Sequence, residues 1–550
     1  MSPDGLASQL CKDCQLCCRG HVCRVVVTDA EAPLFPTAKF SERQLVDGRQ
    51  FFTHQCPHIS GDGCQIYDKR PLDCQSFTCK TLSRLSQGHL SLETAKKAVL
   101  DIKADIAKLM VDLKLDHYSD LSFQQIVKAW IAQKKHQTHP LQTRAFLSIL
   151  NKLDRDVYSQ SSYMSVLQSS VLAKTSDLKT PAYVIDDSAL DRLVFGARDV
   201  IGDTGAKLLY SVKANAVAAV LERLAPLVDG FSCSSLPEVR IVRQVVGSDA
   251  KIHFVGPGIM PGDANTLIQE CERVSYNSVS LFTRYGTQAG VKVGLRVNPH
   301  LSLNRNPKYD PCRANSKLGI SIYTLKAMFQ ENPELFRNVD GLHVHNATGI
   351  TDFQNLTATV NVIAETLPDL MQHIDWINLG GGYRLQTARN PEALRDTVRM
   401  LQNRFDLNVY LEPGTALVSK AAWLVSSVID IFESEGQNIA VLDTSINHQL
   451  EGFIYSFPAV VGNASQDGKH TYVLAGASCL AGDLLGERRF DEPLEIGSRV
   501  VFANVGAYTH AFTTRYNGLH PPSIYQLKED QSPRLRRHFQ MGDFADACGV

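Results

Sequence analysis

The feature that most constrains this chain is a repeat of architecture rather than of letters. From about residue 205, short apolar runs alternate with segments long enough for a helix. The runs are KLLYSV (207–212), GFSC (230–233), KIHFV (251–255), RVSYN (273–277), KVGLRV (292–297), VDGLHV (339–344), IDWINL (374–379) and LNVYLE (407–412). Eight such units within about 210 residues predict a (β/α)8 barrel. The alternative, an open doubly wound sheet, usually ends near about six strands. After Glu412 the pattern changes: WLVSSVIDIF, IAVLDTS, TYVLAG and RVVFANV read as strands without long helices between them. They predict a C-terminal β domain that the strand YVID (183–186) could join.

The N-terminal part is different. Nine of the fourteen cysteines fall between Cys11 and Cys79, and the other five are scattered over the remaining chain. Residues 91–155 turn helical, with Ile102, Ile106, Leu109 and Leu113 on one face. SQSSYMSVLQSS (159–170) is uncharged and Ser/Gln-rich, as a linker would be. The expected plan is a Cys-rich metal-binding module with a helical extension (1–160), a linker (161–178), a barrel (179–420, with 179–200 contributing to the β domain) and a β domain (421–550).

Composition narrows the function. Charged residues make up 21% of the chain and the net charge is −1, so no global field draws it to nucleic acid or an anionic membrane. No apolar run approaches the roughly 20 residues that span a bilayer. The N-terminus has no basic flank followed by an apolar stretch. These features lead to the expectation of a cytoplasmic enzyme with a small-molecule substrate.

In a barrel, chemistry sits just past the C-terminal ends of the strands. Those positions hold Lys213, Cys233-Ser234-Ser235, Gly256, Asn277, Arg296, His345, Gly380-Gly381-Gly382 and Glu412. Taken singly, Lys213 reads as a solvated turn lysine, and three glycines as a bare loop. Taken together they match the needs of pyridoxal 5'-phosphate (PLP). The cofactor needs a lysine amine for a Schiff base, and SVKAN supplies Lys213. Its phosphate needs close backbone N–H groups, which Gly380-Gly381-Gly382 can offer. A carboxylate beside the pyridine nitrogen keeps the ring an electron sink, and Glu412 is placed for that.

TPAYVID, LLYSVKANA, FSCSSLPEV, GLHVHNATG, INLGGGYRL, VYLEPGT, ASCLAGD and VGAYTHAFTTRYNG together resemble the PLP-dependent decarboxylases of the alanine racemase fold, over about residues 179–525. YDPC (309–312), LDTS (442–445) and SCLAGD (478–483) resemble the carboxynorspermidine decarboxylase branch. The resemblance implies that Lys213 carries the Schiff base, Glu412 pairs with the pyridine nitrogen and His345 stacks on the ring. It implies cofactor contacts from Ser235, Arg296, Thr348, Gly381, Gly382 and Tyr508. Cys479 would reprotonate the substrate carbon from the partner subunit of a homodimer, with Asp483 nearby at the interface. Racemases of this fold place a cation near the pyridine nitrogen, so Glu412 argues for decarboxylation. Two departures matter: Thr415 follows EPG where relatives usually carry Arg, and Leu480 replaces the acid that grips a distal amine. INHQLEGFIYSF (446–457) departs as well. A larger, carboxy-polyamine-like substrate is therefore expected. The alternatives are a modified amino acid in a siderophore or other natural-product pathway, and a metal-binding regulatory protein with a degenerate barrel.

Cys11, Cys14, Cys17 and Cys18, followed by Cys56, Cys64, Cys74 and Cys79, can converge on soft metal. The run resembles the CxxCxxCC zinc- or iron-chelating family over about residues 8–85. It implies zinc, iron or an iron–sulfur species; His21, His54 and His58 are further possible ligands.

Overall fold

The computed structural model describes residues 177–550, except 287–290, 304–308, 389, 456–459, 466–467 and 529–531. Before residue 177 it describes the helix α1 (Leu92–Asp112), four two-residue strands and a few further positions. On α1, Ala95, Val99, Ile102 and Ile106 are buried at helical spacing. Leu113 and the Leu109 side chain lie outside the described residues, as does most of the proposed linker.

Eight parallel strands follow one another around a closed ring: β2 (Lys207–Ser211), β3 (Gly230–Cys233), β4 (Ile252–Val255), β5 (Arg273–Tyr276), β6 (Lys292–Asn298), β7 (Val339–Val344), β8 (Trp376–Asn378) and β9 (Asn408–Leu411). Closure comes from β9 pairing with β2, where Tyr410 faces Lys207 and Leu411 faces Leu208. The strands are nearly continuous apolar runs because helices cover them outside and side chains fill them inside. Short polar residues stop the crossover segments where helices must begin. Ser235 Oγ accepts the Glu238 N–H ahead of the helix Leu236–Val246, and Ser278 Oγ accepts the Leu281 N–H ahead of Val279–Tyr285.

A second sheet is built mainly from the C-terminal part. β1 (Ala182–Asp186) runs antiparallel to the long β10 (Ala422–Ser434) and parallel to β15 (Ser523–Leu527). Beyond β10 the path continues through β11 (Gln437–Leu442), β12 (His470–Ala475) and β13 (Leu484–Phe490). β14 (Arg499–Ala503) also pairs with β10, and β16 (Pro533–Arg537) pairs with β15. All five residues of β1 are buried because both of its faces are covered. Tyr183 and Ile185 join the large core that runs through the barrel, while Ala182 and Val184 pack with Trp423, Val425, Val501 and Leu527. This period-two division ties the two sheets into one body. Among the described residues, no helix is long and apolar enough to cross a membrane.

The turn after β2 is fixed from the β domain. The amide of Asn215, buried, donates to Tyr183 Oη and to the Gly506 carbonyl, each at 2.9 Å. Tyr183 Oη donates onward to the Val505 carbonyl at 3.0 Å, and Tyr210 Oη donates to the Asn215 carbonyl at 2.9 Å. Replacing Asn215 by Leu would take this donor from Tyr183 Oη and the Gly506 carbonyl in a dry interior. The expected loss is about 2–4 kcal/mol of unfolding free energy, read from urea denaturation. A change near zero would show that the hub is dispensable.

Candidate active site

The strand ends converge on one carboxylate. Glu412, directly after β9, is only 2% exposed. Its Oε2 accepts from Ser232 Oγ on β3 at 2.7 Å and from Asn378 Nδ2 on β8 at 3.2 Å. Its Oε1 accepts from His343 Nε2 on β7 at 2.9 Å. Burial alone would push this carboxyl up. The adjacent His343, above all, with His345 and the Lys213 ammonium, outweighs burial and holds it well below the usual carboxylate range. Glu412 is therefore an ionised group in a nearly dry site.

His345 lies on the same face as His343, two residues further along the chain. Its Nδ1 is 3.8 Å from Glu412 Oε1, beyond hydrogen-bond reach. That nitrogen instead accepts the Gly381 N–H at 3.1 Å. An accepting ring nitrogen carries no proton, so His345 is neutral with its hydrogen on Nε2. Burial acts in the same direction and pushes its pKa down to about 4.

Lys213 occupies the single 3-10 turn Val212–Ala214 beyond β2, exposed at the barrel mouth. Its charge is felt by Glu412, by His345 and by Glu238. Glu238, in the next crossover helix, accepts the Ser234 N–H at 2.7 Å. The turn is fastened by the Tyr508 N–H donating to the Ala214 carbonyl at 2.7 Å, with Tyr508 itself at φ 59°. Tyr508 is thus carried from the β domain to the lysine.

The three glycines mark a place where backbones nearly touch. A Cβ on Gly381 would lie 2.4 Å from the Glu412 carbonyl oxygen, and one on Gly382 would lie 1.9 Å from that of Ala347. Gly380 and Gly382 also have positive φ. The loops after β7, β8 and β9 are therefore interlocked, and Thr348 is held against Gly382. Arg296, buried inside β6, stands in register with His343 and close enough to Glu412 to feel its charge.

The structure thus brings Lys213, Arg296, His345, Thr348, Gly381, Gly382, Glu412 and Tyr508 to one end of the barrel. Ser235 is also at that end, two residues past β3, while Cys479 and Asp483 belong to the β domain. The Ser235 hydroxyl caps its helix. Cys479 is exposed on a β-domain loop, where its N–H donates to Asn517 Oδ1. Asp483 is buried beneath that loop and accepts from Ser445 Oγ, the Ile446 N–H, and the N–H and Oγ of Ser478. Sequence reasoning missed His343, Ser232, Asn378 and Glu238. Only His343 left a signal, the two-residue spacing to His345 that puts both rings on one strand face.

Of the cysteine cluster, Cys14 is buried and in no disulfide, and Cys64 ends a two-residue strand. Cys11, Cys17, Cys18, Cys56, Cys74 and Cys79 lie outside the described residues. Among the described residues, no group of three or more His, Cys, Asp or Glu is arranged to hold a metal ion.

Residues 196–419 match the family described as pyridoxal-dependent decarboxylase, pyridoxal binding domain. The chain is 33% identical over 377 residues to a carboxynorspermidine/carboxyspermidine decarboxylase of Herminiimonas arsenicoxydans, covering 67% of this chain and 99% of that one. It is 29% identical over 385 residues to a carboxyaminopropylagmatine decarboxylase of Synechocystis, covering 68% and 97%. The crystal structure of carboxynorspermidine decarboxylase from Campylobacter jejuni, complexed with norspermidine, superposes with a TM-score of 0.61 at 27% identity, covering 67% of this chain and 100% of that one.

Fold and site together define a barrel enzyme of the PLP-dependent class, with a β domain packed against the barrel. Within that class the chain belongs to the pyridoxal-dependent decarboxylases.

The site also sets a pH response. His345, pushed down to about 4, joins His448, also about 4, and His253, about 3, from an ordinary value of 6.5. Unfolded, these rings take up protons near pH 6.5; folded, they do so only well below it. The unfolded state binds more protons in that window, so stability rises with pH across it and is lost as pH falls. Urea midpoints should therefore drop steadily from about pH 6.5 to about pH 4, and the drop should be shallower in His345→Phe. Equal midpoints across the window would contradict the assigned protonation states.

Proposed function

We propose that this chain removes the α-carboxylate of a carboxy-polyamine of the carboxynorspermidine kind, using PLP held at the barrel mouth. The observation that carries the reading is the ionised Glu412, buried and facing the same barrel end as Lys213. When bound, the cofactor takes into its ring the electron pair left behind as carbon dioxide departs.

The residues fit that group. Lys213 offers an exposed amine to the cofactor's aldehyde. Glu412 would keep a proton on the pyridine nitrogen, since a carboxylate already supplied with donors remains charged beside a cation. His345, neutral and fixed by Gly381, offers a flat ring as one wall. Gly381, Gly382, Thr348 and Tyr508 would hold the phosphate. The close approach of backbones at Gly382 leaves no room for a Cβ there, which suits a tight anion cradle. Arg296, buried beside Glu412, would contact the ring's polar edge or the substrate carboxylate.

Cys479 would return a proton to the substrate carbon in the site of a partner subunit. Its exposure supports this, as do Leu480 on the same loop and Leu484 at the start of β13, which are 39% and 52% exposed, an apolar surface suited to burial in a homodimer. Asp483 would act by holding that loop in shape. The names of the relatives support the substrate class, and so does Leu480, which offers no charge to a short diamino acid. For residues 1–160 we propose a separate unit whose closely spaced thiols bind zinc or iron.

Four measurements test these assignments. Lys213→Ala should lose the visible absorbance of the bound cofactor together with all carbon dioxide release; absorbance that persists would show the wrong lysine was chosen. Glu412→Gln should retain the cofactor while kcat falls at least about a hundredfold, and a variant of full activity would remove the electron-sink argument. A substrate panel should favour carboxynorspermidine and its congeners over diaminopimelate and ornithine. Metal analysis of the full chain should find zinc or iron that is lost when Cys14 and Cys17 are changed to Ser.

A further inference from the structure

Below Glu412 the barrel is filled by an unusual set of side chains. His253 on β4, Arg273 on β5, His343 on β7, Trp376 on β8 and Tyr410 on β9 meet inside it, where branched aliphatic residues usually stack. Gly341 on β7 makes the space: a Cβ there would lie 2.1 Å from the Trp376 ring. Arg273, buried, stands with its guanidinium carbon 4.9 Å from the Tyr410 ring centroid and 5.6 Å from that of Trp376. Its Nη1 is 3.2 Å from His253 Nε2 and also pairs with the half-buried Glu272.

The hydrogens in this set can be placed by elimination. Guanidinium only donates, so His253 Nε2 accepts and the proton of this ring sits on Nδ1. The Glu412 carboxylate only accepts, so His343 carries its proton on Nε2 and its Nδ1 is bare. Burial keeps both rings neutral. Among the described residues His253 Nδ1 and His343 Nδ1 are both buried without a hydrogen-bond partner. One is a donor and the other an acceptor, and both rings face the barrel interior, near enough that a proton added to His343 would be felt at His253. The Trp376 Nε1–H is a third buried group without a partner there. Orphaned groups of this kind are costly, and a buried water normally serves two to four of them.

We propose that one buried water joins His253 Nδ1–H to His343 Nδ1, completing a line of donors from Arg273 through His253, water and His343 to Glu412. Each link donates toward the carboxylate. The charge of Arg273 is thereby brought to bear on Glu412 through two neutral rings, and hydrogen bonds in such a chain strengthen one another. Arg273, His253 and His343 are positioning residues: they hold Glu412 ionised and aimed, and touch neither substrate nor cofactor. The inference rests on the proposed role of Glu412 at the pyridine nitrogen, but the water itself does not.

The test uses the full chain. A high-resolution crystal structure, with or without PLP, should show an ordered water within hydrogen-bond distance of both Nδ1 atoms. A dry contact or a different occupant overturns the proposal without any variant. In protein loaded with PLP carrying an isotopically labelled ring nitrogen, His253→Phe keeps the ring volume but has no N–H. The labelled resonance should move toward its unprotonated position, and kcat should fall about tenfold with KM little changed. His253→Gln, whose amide can donate, should restore part of both. A wild-type resonance in folded His253→Phe refutes the relay. If the wild-type chain takes up no PLP, the cofactor reading fails instead, and the crystallographic water still decides the relay.

Discussion

A negative charge kept inside a barrel with almost no access to water is the constraint around which this molecule is arranged. Glu412 is tolerated there because strands on three sides contribute Ser232, His343 and Asn378 to its oxygens. Those donors point inward only if β3, β7, β8 and β9 keep their register, since a slip of one residue would turn each side chain to the outside. The carboxylate and the closed sheet are thus mutually dependent. The wide range of residue types inside the barrel follows from the same demand, because an aliphatic interior would leave the charge without support.

The second dependency links the two sheets. β1 precedes the barrel in the chain yet belongs to the β domain, and its Tyr183 hydroxyl meets Asn215 two residues past Lys213. Tyr508 approaches the same turn through its backbone. The lysine at the barrel mouth therefore depends for its position on residues close to both ends of the catalytic unit. Removing either the leading strand or the segment around Gly506 would leave the turn without its braces.

Much of this was legible beforehand. All eight barrel runs became strands, two with the expected boundaries, because buried parallel strands are short, apolar and evenly spaced. Lys213, His345 and Glu412 could be found because strand ends are predictable places. The donors around Glu412 were not: Ser232 and Asn378 sit inside strands, where nothing local distinguishes a carboxylate partner from filler. Asn215 is one of many turn asparagines until the fold brings Tyr183 and Gly506 to it across long stretches of chain. The interior position of Arg273 was hidden in the same way, since it opens a strand and reads as an exposed flank. The cysteine spacing was plain to see, but what the thiols do together falls outside the residues the structure describes.

The contacts at Gly380, Gly381 and Gly382 have an implication for how such a protein can diversify. With three loops locked backbone to backbone, that end of the cavity has almost no tolerance for altered side chains. The loop bearing Cys479 and Leu480 is different: its inner residues are tied down by Asp483 while its outer ones project freely. With that loop reaching a partner's site, as proposed above, new chemistry of recognition can be tried on it without disturbing the grip at the glycines. Descendants of this architecture should therefore vary in what they accept long before they vary in how they hold it.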